Sequence, residues 1–125
     1  MTGVQTCALP IYEGYLWEAH EAWEGVWLAS GRTAPAGRLV QGLIFNAAAQ
    51  LKWHVGQPQG AARHARRSIV RVAEAQATFG ESAFGLDLAS LHATLTRHYA
   101  PLWQGAAAPA GAPPCFRLAL PHAHD

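Results

Sequence analysis

The chain has 125 residues, 50% hydrophobic and 14% charged, enough for one domain with a single core and small enough to lean on a second copy of itself. A formal net charge of +1 supplies no global field that would gather a polyanion or an anionic membrane. The sequence has no run of about 18 apolar residues and no basic stretch leading into an apolar one, which argues against a membrane span or a signal peptide and makes the cytoplasm the expected location.

Residues 1–11, MTGVQTCALPI, match the translation of a common short-read sequencing adapter. They are expected to be foreign to the native gene, which would then be cut near Tyr12, so they are set aside from the fold and Cys7 is given no role. Cys115 is left as a lone thiol, which supports neither a disulfide nor a metal knuckle. A helical bundle domain is expected over residues 12–100, followed by a Pro/Ala-rich tail over 101–125.

The apolar period is helical from Tyr12 to about Ser30, where Gly31 offers a stop. Beyond the turn-rich GRTAPAG, a helix is predicted over 37–54. Leu39, Val40, Leu43, Ile44, Ala47 and Leu51 share one arc, while Phe45, Ala48, Ala49 and Trp53 fill much of the other, so this helix is expected to be the central, most buried one. Gly56 and Pro58 then break the chain. A helix over 59–79 follows, whose small inner residues Ala61, Ala62, Ala65 and Ala73 permit close approach. GESAFG, residues 80–85, reads as a loop, and 86–100 as a last helix with Asp87 as candidate cap and Pro101 as its end. Within the tail, CFRLALPHAHD can lay a short extended piece on the bundle. The expected class is all-α: an antiparallel up-and-down bundle of three core helices plus a shorter fourth.

The segment Tyr15–Trp27 concentrates one histidine, three glutamates and three tryptophans in thirteen residues. At about 100° per residue, His20 and Glu24 lie one turn apart on the border of the apolar face, while Glu18 and Glu21 fall on the opposite side. Antiparallel helices joined by short loops share levels at constant index sums: roughly 65 between the first and second helices, and roughly 112 between the second and third. His20 and Glu24 should therefore face Gln41, Phe45 and Asn46, with Arg67 and Arg71 beyond. Asn46, Gln50 and His54 form a second polar stripe at i, i+4, i+8.

Two readings follow. In the first, a small polar pocket between the first two helices, walled by Trp17, Trp23 and Trp27, holds a divalent metal ion through His20 and Glu24, with Glu21 as base; HEAWE keeps the spacing of a zinc-binding HExxH helix but has no third ligand nearby. A neutral oxygen from Gln41 or Asn46 would suit magnesium or manganese better than zinc. In the second, Glu24 pairs with Arg67 or Arg71, His20 bonds to Gln41 or the backbone, and the cluster only fixes packing in a non-catalytic, self-associating bundle. A homodimer fits either reading. Arg63, Arg66, Arg67 and Arg71 lack interleaved aromatic residues on their own helix, so they are expected to be a solvated or ion-paired face rather than a nucleic-acid surface.

Three ordered pieces, YLWEAHEAWE (15–24), QGLI (41–44) and GQPQGA (56–61), resemble the bacterial and archaeal domain-of-unknown-function family 309. The resemblance implies a small all-helical bundle with an HExxE motif and, by the label the family carries, a predicted metal-dependent hydrolase. Carried over residue by residue, it points to His20, Glu21 and Glu24. The last helix and the tail lie outside the matched pieces.

Overall fold

The computed structural model describes residues 2–5, 28–29, 31, 33–83, 85–109 and 117–120. Leu28 and Ala29 are helical, within the first predicted helix; the rest of that helix lies outside the described residues. Three helices make up most of what is described: α1 (Pro35–His54), α2 (Pro58–Phe79) and α3 (Leu88–Trp103). Four short strands pair antiparallel in two ladders, β1 (Thr2–Gln5) with β4 (Arg117–Leu120) and β2 (Ser82–Ala83) with β3 (Leu86–Asp87). The described residues are mostly helical. The residues set aside as adapter-derived thus include a strand; ladder bonds are made by backbone groups and accept almost any sequence.

Proline and glycine set the α1–α2 junction. Pro35 and Pro58 each open a helix, where the missing N–H is no loss and φ is already helical. Gly56 takes φ +83°, and Gln57 N–H donates back to the Lys52 carbonyl at 2.8 Å, closing the end of α1. The two helices then run antiparallel in the expected register. Arg38 meets Glu74, Gln41 meets Arg71, and the Arg67 guanidinium lies over the Phe45 ring, each pair summing to 112. Small residues bring the backbones together: a Cβ on Gly42 would stand 2.6 Å from that of Arg71.

As its composition requires, α1 is buried around most of its circumference. The middle place among the described helices, however, belongs to α2, which packs on both α1 and α3. It turns Ala61, Ala65, Ser68, Val72 and Ala75 inward and Arg63, Arg66 and Arg67 outward. α1 and α3 are too far apart for backbone contact and meet through long side chains, chiefly Trp53 against His98 and Tyr99.

The last helix differs from expectation at both ends. Leu86 is not its first residue but part of a hairpin with β2, because Gly85 adopts φ +81° and sends the Leu86 side chain into the core. Asp87 does cap α3, accepting from Ser90 N–H at 2.9 Å. Pro101 does not end it. A proline removes one hydrogen bond and restricts its predecessor, but the residues after it remain free to be helical. Here burial of Leu102 and bonds from Gln104 and Ala106 N–H to the Pro101 carbonyl hold one more turn.

Candidate functional site

Of the residues expected at the site, His20, Glu21, Glu24, Trp17, Trp23 and Trp27 lie outside the described residues. Gln41, Asn46, Arg67 and Arg71 are described, and they fall into two separate neighbourhoods.

Along the α1–α2 seam, Arg71 Nε donates to Gln41 Oε1 at 2.8 Å, and Arg71 Nη1 lies 3.3 Å from Glu74 Oε2. Glu74 also takes a two-point bond from Arg38, both contacts at 3.1 Å. The neutral oxygen of Gln41 therefore already carries a guanidinium, whose charge opposes a cation beside it. Half-exposed pairs of this kind contribute about 0–1 kcal/mol each and mainly fix geometry.

Asn46 points elsewhere than expected. Its side chain is fully buried toward α3, where Oδ1 accepts from Tyr99 Oη at 2.5 Å and from Gln50 Nε2 at 3.0 Å. Asn46 thus belongs to a buried amide–tyrosine network with Gln50 and Tyr99. Its position on α1 is one turn from the seam residues, and a long aromatic side chain reaching over from α3 claims it. Both lone pairs of that oxygen are engaged, so it is no candidate metal ligand. Burial pushes the Tyr99 hydroxyl far above the usual tyrosine range, against a smaller opposing effect of Gln50, so the hydroxyl stays a donor. Asn46 Nδ2 and Gln50 Oε1 are buried with no bonding partner among the described residues. Exchanging O and N in both amides would still leave one donor and one acceptor unmatched.

His64 is the functional candidate that sequence reasoning passed over. Its half-buried imidazole stacks on Phe45 with ring centroids 5.8 Å apart, directly beside Arg67 on the same ring. The two index sums contained the signal, since Phe45 shares a level with His20 through one and with the His64 turn through the other. Among the described residues no three His, Cys, Asp or Glu side chains converge as a metal site.

These features define a mostly helical fold among the described residues, whose α1–α2 pair presents a histidine and several arginines along its seam. The family model DUF309, a domain of unknown function, matches residues 10–64. The match, which runs from before the HEAWE segment to His64, supports the resemblance to that family. No curated protein and no solved structure matches the chain. Among the described residues, no helix is long and apolar enough to cross a membrane.

Proposed function

We propose that the helix over 12–30 completes an antiparallel up-and-down bundle of three core helices with α3 as the shorter fourth. His20, Glu24 and His64 then form a divalent-metal centre of a hydrolase. The observation that carries this reading is the His64 imidazole on Phe45, at the level the index sums assign to His20. It answers the main weakness of the sequence motif, a missing third ligand. Two imidazoles and a carboxylate are a set typical of catalytic zinc with an open fourth position, and they replace the amide oxygens of Gln41 and Asn46, which are committed to Arg71 and to Tyr99 with Gln50. A divalent ion so held makes water acidic and polarises the bond to be cleaved. Glu21 is the carboxylate of the motif left to move the proton.

A second reading has its own support. The seam arginines carry more positive charge than Glu74 returns, which suits a buried carboxylate better than a metal ion. In that reading His20 and Glu24 only secure the first helix, and the bundle self-associates without catalysis.

Metal analysis of freshly purified protein, with His20→Ala and Glu24→Ala alongside, separates them. Near-stoichiometric metal in the wild type, lost in both variants, supports the hydrolase. A metal-free wild type whose variants melt far lower supports the packing role.

A further inference from the structure

We infer that the outer face of α2 is a binding surface for single-stranded nucleic acid. At about 100° per residue, Arg63, Arg66, Arg67 and Val70 share one face of the helix, and all four side chains are exposed. The sequence offered no aromatic residue among these arginines, but the fold supplies one on each flank. Trp103 of α3 lies under Arg66, with its ring centroid 4.8 Å from the guanidinium carbon, and Phe45 of α1 lies under Arg67 at 5.8 Å. Trp103 remains 39% exposed although its helix end is otherwise folded against the core.

Charge complementarity names the occupant. The described acids are Glu74, Glu81 and Asp87, and Glu74 is bound by Arg38 and Arg71. None of the described acids pairs with Arg63, Arg66 or Arg67. Among the described residues three cations therefore stand together without an acidic partner, in a chain whose formal charge is only +1. Arg63 and Arg67 lie one turn apart, a rise of about 6 Å, and can contact successive phosphates. Exposed tryptophan and guanidinium planes on the flank stack unpaired bases, which a duplex keeps inside its own stack. A sheet of phosphate charge alone would have no use for the rings, and this favours a single strand over other polyanions.

The test is fluorescence anisotropy of a labelled twelve-nucleotide oligouridylate, in EDTA so that the result is independent of any metal centre. Binding should weaken with salt at a log–log slope of about −2, as three phosphate contacts require. Arg63→Ala and Arg67→Ala should each reduce that slope by about 0.7, and Trp103→Ala should weaken binding about tenfold. Arg97→Ala, on another face of α3, should leave binding unchanged, and circular dichroism of each variant checks that it folds. No binding at about 50 mM salt, equal affinity for a duplex or heparin, or indifference to Trp103→Ala would each overturn the proposal.

Discussion

Two polar neighbourhoods share α1, and they differ in how they are held. Between α1 and α3, Asn46, Gln50 and Tyr99 are buried, neutral and bonded to one another, so each depends on the others being present. Along α1 and α2, Arg38, Gln41, Arg71 and Glu74 are charged or half-exposed, and water can replace any member. The first neighbourhood stabilises the fold and has little freedom to react; the second tolerates change and has groups to offer a ligand. Polar character alone therefore does not mark a functional site, because burial and mutual commitment decide which role a side chain plays.

That contrast predicts a graded set of effects on stability, read by urea denaturation. Asn46→Leu leaves the Gln50 amide buried without its acceptor and the Tyr99 hydroxyl with only the backbone carbonyl of residue 46, 3.2 Å away, and should cost about 1–3 kcal/mol; a cost well below about 1 kcal/mol would mean the network is already wet. Gly42→Ala should cost about 1–2 kcal/mol, since crowding against the Arg71 Cβ and the Ser68 carbonyl exceeds the gain in helix propensity. At Gly60 the new methyl meets only the flexible end of Lys52, so Gly60→Ala should be neutral or stabilising. Equal effects at the two glycines would contradict the close approach of α1 and α2 at Gly42. Glu74→Gln should cost less than about 1 kcal/mol and lose its effect in high salt.

A smaller effect concerns pH. Burial lowers the pKa of His98, whose ring stands edge-on to Trp53, below its ordinary 6.5. The unfolded chain takes up this proton first, so the stability owed to neutral His98 is complete above pH 6.5 and is lost as pH falls through that value toward the folded pKa. Thermal melts from pH 8 to 5 should show a shallower acid decline for His98→Gln than for the wild type; parallel declines would assign the effect to other groups.

Much of this architecture could be read from residue pattern. Apolar periodicity and the Gly56–Pro58 break located α1 and α2, and short-loop geometry fixed their register to within a turn. The end of α3 was not legible, because Leu102 keeps its turn through tertiary burial that outweighs a local proline signal. The bonds of Asn46 to Tyr99 and Gln50 were not legible for a related reason: index sums give levels along a bundle, not the direction a side chain takes around it. The aromatic partners of Arg66 and Arg67 come from other helices, which no inspection of α2 alone could reveal.

The most direct test of the division between a binding site on the α1–α2 pair, to which His64 belongs, and the buried α1–α3 network is a competition titration with Zn2+ on wild type, His64→Ala and Tyr99→Phe, each also melted. We predict that His64→Ala loses the bound ion with little change in melting temperature, while Tyr99→Phe keeps the ion and melts lower. Unchanged zinc affinity in His64→Ala, or loss of the ion in Tyr99→Phe, would contradict the account.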